Sequence, residues 1–185
     1  MVKDILKFAD EKMNKSIHVL KAELASMKAG RANPKLLEKI EVEYYGTMTP
    51  INQLANISVP EARILLIQPY DKNSIKEIEK SILKSDLGLN PSNDGTAIRL
   101  IIPELTEETR KSLVKSVKKA GEECKIAIRA IRRDANDKIK SLKKSNEITE
   151  DDAKNAEDKI QNETDKHVKK VDEIIKEKEA EIMTV

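Results

Sequence analysis

The sequence TEETRKSLVKSVKKAGEECKIAIRAIRRDANDKIKSLKK, residues 106–144 of 185, decides the fold. Apolar and small residues recur in it at steps of three, four and seven, which places them on one helix face: Leu113, Val117, Ala120, Cys124, Ile128, Ile131, Ala135 and Leu142. Thr106 is a suitable N-cap, and Glu107 and Glu108 follow where the helix dipole favours acidic side chains. The pattern predicts one uninterrupted helix roughly 55–60 Å long.

Two more amphipathic helices are expected outside the central part of the chain. Residues 1–29 contain neither glycine nor proline, and Gly30 stands where a helix C′ residue would. Their apolar stripe is Ile5, Ala9, Met13, Ile17, Leu20, Leu24 and Met27. After a break at Ser145 and Asn146, Thr149 caps a last helix. Its stripe is Ala153, Ala156, Ile160, Val168, Val171, Ile175 and Ile182. Three such helices predict an elongated bundle with coiled-coil-like packing.

The middle of the chain has a different composition, because all six prolines lie between Pro34 and Pro103. Residues typical of strands occupy 39–45, 57–59, 64–67 and 98–102. Ser74 and Glu77 have the spacing of a capping box, which predicts a helix there. Turn residues follow at 87–91 and 93–95. The segment therefore reads as a small β/α/β insert.

The fold class expected is α+β. A three-helix bundle comprises residues 1–29 and 106–185, and residues 30–105 form the inserted domain. The chain enters the insert once, near Ala29–Arg31, and leaves it once, near Pro103–Thr106. Two adjacent connections of this kind form either a hinge or a rigid elbow, and the sequence alone leaves both open.

The formal charge of +2 conceals a separation of charge along the chain. Residues 107–145 carry thirteen basic and six acidic groups, or +7, whereas residues 146–185 carry seven and thirteen, or −6. On a helical wheel the basic residues of the second helix form one ridge beside its apolar stripe. They are Lys111, Lys115, Lys118, Lys125, Arg129, Arg132, Arg133 and Lys143.

Two interpretations of this basic ridge remain open on charge alone. Guanidinium groups match phosphate oxygens, so the cluster Arg129, Arg132 and Arg133 is typical of a surface that reads the backbone of structured RNA. Alternatively, the ridge is a solvated face of a coiled-coil scaffold that pairs with the acidic last helix. With one Phe, three Tyr and no Trp, base-stacking readers of RNA are disfavoured under either interpretation.

Catalytic and metal chemistry are not expected. His18 and His167 belong to separate helices without other ligands at metal-binding spacing, and His167 is more typical of a packed, hydrogen-bonded side chain. Cys124 lies on the core stripe, which favours a buried, unreactive thiol. No nucleotide-binding glycine motif is present, so no cofactor is expected. A single cysteine and no apolar run of membrane-spanning length predict a cytoplasmic protein without a membrane anchor.

Seven stretches in order resemble the bacterial ribosome recycling factor family from end to end. They are residues 28–34 (KAGRANP), 42–46 (VEYYG), 49–55 (TPINQLA), 85–91 (SDLGLNP), 105–108 (LTEE), 131–137 (IRRDAND) and 150–152 (EDD). The resemblance implies the architecture predicted above, with the two domains arranged in an L shaped like a tRNA. It also implies a factor that is not an enzyme.

The resemblance further implies the partners and the task. Such a factor binds large-subunit rRNA of the post-termination ribosome, and elongation factor G with GTP then splits the ribosome into subunits. Messenger RNA and tRNA leave, and initiation factor three keeps the subunits apart. A monomer is expected.

Site residues follow from the same resemblance, position by position. Arg132 is expected to be the most critical rRNA contact, with Arg129 and Arg133 beside it and Arg31 near the domain junction. The rest of the expected rRNA-binding set is Arg110, Lys118 and Lys125. The expected hinge is Ala29, Gly30, Arg31, Pro103, Glu104, Leu105 and Thr106. The chain departs from the common family pattern at Lys28, Thr109 and Ala130.

Overall fold

The computed structural model describes residues 1–27 and 30–184. In chain order the elements are α1 (Val2–Ala25), β1 (Glu41–Tyr44), β2 (Thr47–Pro50), α2 (Ile51–Leu54), β3 (Ala55–Glu61), β4 (Ile64–Pro69), α3 (Ile75–Lys84), β5 (Pro91–Asn93), β6 (Ile98–Ile101), α4 (Glu107–Lys144) and α5 (Glu150–Thr184). The chain separates into two compact units. The bundle unit comprises Met1–Leu24 and Lys111–Thr184, and the second unit comprises Ala25–Arg110.

The bundle unit is built from the apolar stripes of α1, α4 and α5. Most predicted stripe residues are buried, including Met13, Ile128 and Val171, which confirms the helical periodicity. Ile139 and Gly121 are also buried, although the sequence reading did not place them on the stripe. A Cβ added to Gly121 would lie 2.7 Å from Cγ1 of Ile175, so glycine lets α4 and α5 approach closely there.

The predicted helix ends of the bundle are largely confirmed. The backbone N–H of Thr109 donates to Thr106 Oγ1 at 3.1 Å. At α5, the N–H of Asp152 donates to Thr149 Oγ1 at 3.1 Å, and Asp152 accepts from the Thr149 N–H at 3.3 Å. Asn146 ends α4 with φ 61°, in a left-handed conformation that the sequence break at this point anticipated.

The end of α1 differs from the prediction. The helix ends at Ala25 rather than at 29, so Gly30 is not its C′ residue. No glycine or proline marks the end at 26 or 27, and periodicity alone therefore extended the helix too far. Gly30 has φ 77°, a conformation that favours glycine for a reason other than helix capping.

The second unit packs α3 and the short α2 against antiparallel strands. Its sheet has the order β3-β4-β6-β5, and β1 and β2 form a separate hairpin. Buried Ile78 and Ile82 of α3 join Leu65 and Ile98 of the sheet and Val42 of the hairpin in one core. The strand–helix–strand order was predicted, but β2, β5 and α2 were not. The sequences of β2 and β5, TMTP and PSN, are short and polar, so they lack the alternation that marks a strand.

The capping box predicted at Ser74 is wrong. Ser74 is buried in a helical conformation and caps nothing; its Oγ donates to the carbonyl oxygen of Asp71 at 2.6 Å. Asp71 is the capping residue instead, because its carboxylate accepts from the N–H of Asn73 at 2.9 Å. A short 3-10 turn, Lys72–Ser74, precedes α3 and shifts the cap three residues upstream.

Candidate nucleic-acid interface

The three arginines of the cluster lie within five residues of α4. Arg129 and Arg133 are exposed, and Arg132 is half-buried at the border of the apolar stripe. Lys111, Lys115 and Lys118 extend the exposed basic surface towards the N-terminus of the same helix. A helix of 38 residues with its other face in the core holds these charges in fixed register. It can therefore present a row of cations to a polyanion.

Arg132 is oriented by a neighbour on α5. Its Nη1 donates to Gln161 Oε1 at 3.2 Å, and Gln161 Nε2 donates in turn to Asp165 Oδ1 at 2.8 Å. The second bond fixes the Gln161 amide so that its oxygen faces the guanidinium. A guanidinium has five N–H donors, so one such bond leaves others for a phosphate. The sequence reading missed Gln161, because its role depends on the packing of two helices.

Lys125 behaves differently from the rest of the predicted set. Its Nζ pairs with Asp172 of α5 and lies 3.4 Å from Glu122 Oε1. Only 15% of its side chain is exposed, and the hydrogen bond with Asp172 raises the pKa of Lys125. This lysine fits the alternative interpretation, in which the ridge pairs with the acidic last helix, and its charge is largely neutralised within the bundle.

The remaining predicted rRNA residues divide between the units. Lys118 is exposed on α4 in the bundle unit. Arg31 is exposed and Arg110 is half-buried, and both belong to the second unit. The structure thus brings Arg129, Arg132 and Arg133 together on one helix turn and does not group Arg31 and Arg110 with them.

The residues next to both predicted hinge segments are attached to the turn between β3 and β4. Directly after the first segment, the N–H of Ala32 donates to the carbonyl oxygen of Ala62 at 2.8 Å. Directly before the second, the N–H of Ile102 donates to the carbonyl oxygen of Arg63 at 2.7 Å. Arg63 Nη2 also lies 3.4 Å from Glu104 Oε1. We call Ala62 and Arg63 the clamp, because they hold both crossings of the chain to the sheet.

The hinge residues themselves vary in environment. Gly30 is buried, Pro103, Glu104 and Thr106 are exposed, and Leu105 is half-buried. Ala29 lies outside the described residues, as does Lys28. The clamp therefore attaches the sheet side of both crossings, at Ala32 in one and at Ile102 and Glu104 in the other.

His167 is the packed, hydrogen-bonded residue that the sequence predicted. It is 5% exposed, and its Nδ1 lies 2.6 Å from the Glu163 carbonyl oxygen while Nε2 lies 3.1 Å from Asn14 Oδ1. The carboxylates of Asp10 and Glu163 are near enough for the three side chains to approach a common cation. Because both ring nitrogens already face hydrogen-bonding oxygens, the arrangement suits helix packing better than metal ligation.

Cys124 has the environment of an unreactive thiol. It is buried, with Sγ 3.6 Å from the carbonyl oxygen of Ser16. Burial, and then the charge of Glu23, raise the pKa of the Cys124 thiol, which lowers the fraction of reactive thiolate. Across residues 1–27 and 30–184, the helices are all too short or too polar to cross a membrane.

Comparison with known proteins gives one consistent family. The family model described as ribosome recycling factor matches residues 20–183. The ribosome-recycling factor of Clostridium acetobutylicum is 68% identical over all 185 residues, and that of Clostridium novyi is 67% identical, with both chains covered completely in each case.

Two solved structures agree with this result. A solution structure of the ribosome recycling factor is 40% identical, with a TM-score of 0.82 over 100% of this chain and 98% of that one. The second contains the T. thermophilus ribosome recycling factor and the E. coli elongation factor G bound to the E. coli post-termination complex. The matching chain of that structure is 47% identical to this one, with a TM-score of 0.68 over 98% of each chain.

Proposed function

The chain belongs to the ribosome recycling factor family, and from that premise we propose how its two units divide the work of recycling. The protein is a non-enzymatic factor that acts with elongation factor G on the post-termination ribosome. The observation that carries this conclusion is the full-length match to a relative solved on that complex. Splitting of the ribosome into subunits releases mRNA and tRNA for another round of translation.

The bundle unit is the part that binds large-subunit rRNA in this proposal. Arg132 supplies the central phosphate contact, held in place by Gln161, and exposed Arg129 and Arg133 extend it. Lys118 continues the surface along α4. Because the contacts are to phosphates rather than to bases, affinity falls steeply as salt concentration rises. Arg31 and Arg110 add contacts from the second unit.

The second unit receives the push of elongation factor G, whose GTP hydrolysis drives the change. The clamp at Ala62 and Arg63 supports this role, because it makes both chain crossings move together with the sheet. Rotation is then absorbed by few residues, namely Gly30 and Arg31 in one crossing and Leu105 and Thr106 in the other. Pro103 stiffens the second crossing next to the sheet.

The finer biological setting belongs to the same proposal. The factor works as a monomer in the cytoplasm, where ribosomes are recycled. Initiation factor three acts after it and keeps the separated subunits apart. The factor itself needs no cofactor, since the nucleotide is bound and hydrolysed by elongation factor G.

Light scattering of post-termination ribosomes tests the function directly. Scattering is expected to fall only when the chain, elongation factor G and GTP are all present, because subunits scatter less than whole ribosomes. Splitting by the chain and GTP alone, or GTP hydrolysis by the purified chain, would overturn the division of labour proposed here.

A lengthened hinge tests the role of the clamp. Insertion of two glycines between Leu105 and Thr106 is expected to leave ribosome binding unchanged but to abolish splitting, because movement of the sheet no longer reaches the bundle. The same insertion after Gly88, in an exposed turn of the same unit, serves as the control. Full splitting activity in the lengthened hinge would contradict the proposal.

A further inference from the structure

The apex of the β1–β2 hairpin carries a tyrosine in an unfavourable backbone conformation. Tyr44 pairs with Thr47, so Tyr45 and Gly46 form a two-residue turn. Their φ angles are 48° and 80°, both positive, as a type I′ turn requires. Asn-Gly is the preferred pair in this turn, because a bulky side chain at positive φ is strained. Tyr45 is therefore a costly choice for the turn itself.

The exposure of the Tyr45 side chain to water is also unfavourable. The side chain is 84% exposed, so an aromatic ring protrudes into solvent at the tip of the hairpin. Met48, on the following strand, is 58% exposed. Neither strain nor exposure is explained by folding, since asparagine would satisfy both the turn and the solvent. Strained residues that persist in a fold are a recognised sign of a functional contact.

The exposed ring stands against an anchored neighbour. The rings of Tyr44 and Tyr45 meet edge to face, with centroids 4.6 Å apart. Tyr44 is half-buried, and its hydroxyl donates to Asp71 Oδ2 at 3.1 Å. The other oxygen of Asp71 caps the turn before α3, which connects Tyr44 to the core. The Tyr45 ring therefore projects from a fixed base at the tip of the hairpin.

The surface beside the apex is of mixed charge, so the ring and not the charge selects the kind of partner. Glu41 and Glu43 alternate with buried Val42, so both carboxylates lie on the exposed face of β1. Met48 pairs with Glu43 across the hairpin and shares that face. Lys39, Lys80 and Lys84 line the same cavity as these exposed residues. A bare aromatic ring beside an exposed methionine fits an apolar pocket on a protein.

We propose that the apex, Tyr45 with Met48, is an anchor that inserts into an apolar pocket of elongation factor G. The inference rests on the proposed function, in which that factor is the protein partner of the second unit. Tyrosine is among the residues that dominate protein interfaces when a rigid ring fills a pocket. The anchor also explains why the turn keeps a tyrosine where asparagine is better suited.

The test is the variant Tyr45→Asn, which removes the ring and improves the turn. Tyr70→Asn is the matched control, because Tyr70 is 72% exposed in the same unit but follows β4 and is not part of the hairpin. Two quantities are measured for each variant. One is binding of the chain to post-termination ribosomes without elongation factor G. The other is the concentration of elongation factor G that gives half the maximal splitting rate.

Tyr45→Asn is expected to raise that half-maximal concentration about tenfold or more, a change typical of a lost interface anchor. Ribosome binding without elongation factor G, and the melting temperature, stay unchanged or increase. Tyr70→Asn changes none of these. An unchanged half-maximal concentration in Tyr45→Asn overturns the anchor, as does weaker ribosome binding, which would assign the apex to the ribosome. Splitting by the unaltered chain tests the proposed function separately.

Discussion

An exposed aromatic residue of the bundle unit and one of the second unit have opposite surroundings. Phe8 of the bundle lies beneath two ammonium groups, with Lys12 Nζ at 4.7 Å and Lys138 Nζ at 4.8 Å from the ring centroid. Tyr45 of the second unit meets the Tyr44 ring edge to face and is 84% exposed. The bundle thus presents charge even over its aromatic residue, whereas the second unit presents a bare ring.

This difference suggests that the units meet chemically different partners. A surface of ordered cations suits the phosphates of folded rRNA, and affinity then depends on salt. An exposed aromatic ring suits a protein pocket, and affinity then depends on apolar contact. The proposed function uses both kinds of contact, and the central residues proposed for each, Arg132 and Tyr45, lie in different units.

The largest expected effect tests whether the units are also separate in stability. Ile128 of the bundle and Ile98 of the sheet are each 0% exposed, and truncation of such a residue to alanine costs about 2–5 kcal/mol. Ile128→Ala is expected to lower the melting temperature measured from the helical signal. Ile98→Ala is expected to lower the protection of sheet amides from hydrogen exchange. If each variant weakened both signals equally, the chain would unfold as one unit.

A smaller effect probes the close contact that is peculiar to the bundle. Gly121→Ala is expected to cost about 1–3 kcal/mol, because the new Cβ meets Ile175 at 2.7 Å and the gain in helix propensity only partly offsets the strain. The measurement is denaturant unfolding. Ile175→Ala provides the matched partner, since it removes the contacted atoms. The double variant should be more stable than the sum of single effects predicts; strict additivity would show that the two positions do not clash.

The smallest effect belongs to turn chemistry in the second unit. Backbone N–H groups of Thr96 and Ala97, with the Thr96 hydroxyl, lower the pKa of Asp94 to about 2 from its ordinary 3.8. The ionised form is therefore favoured in the folded state. The ionised Asp94 carboxylate contributes fully to the free energy of unfolding above about pH 4, and this contribution is lost as pH falls towards 2. A carboxyl titration by NMR should place the Asp94 midpoint near 2, and a midpoint near 3.8 would contradict this account of the turn.

The two units also differ in how far their sequences predict them. The helices of the bundle follow from a 3.6-residue period and from Thr106 and Thr149, whose hydroxyls cap them. The end of α1 at Ala25 does not, because no breaker residue marks it. In the second unit, β2 and β5 escape prediction because they are short and polar, so that only their pairing with β1 and β6 defines them as strands. Antiparallel pairing is likewise a property of the tertiary structure.

The candidate site shows the same limit. A helical wheel places Arg129, Arg132 and Arg133 correctly, since they share one helix. It cannot distinguish Arg132, which Gln161 orients, from Lys125, which Asp172 neutralises, because both partners are on α5. The role of each cation is decided by which residue of the acidic helix lies opposite.

The most direct test of the account is the salt dependence of binding to post-termination ribosomes for Arg132→Gln. Lys119→Gln is the control, because Lys119 is exposed on α4 but off the basic ridge. The account predicts that Arg132→Gln binds about tenfold or more weakly, with the slope of log affinity against log salt reduced by about one. The control leaves both unchanged. Unaltered affinity and slope in Arg132→Gln would contradict the claim that α4 reads the rRNA backbone.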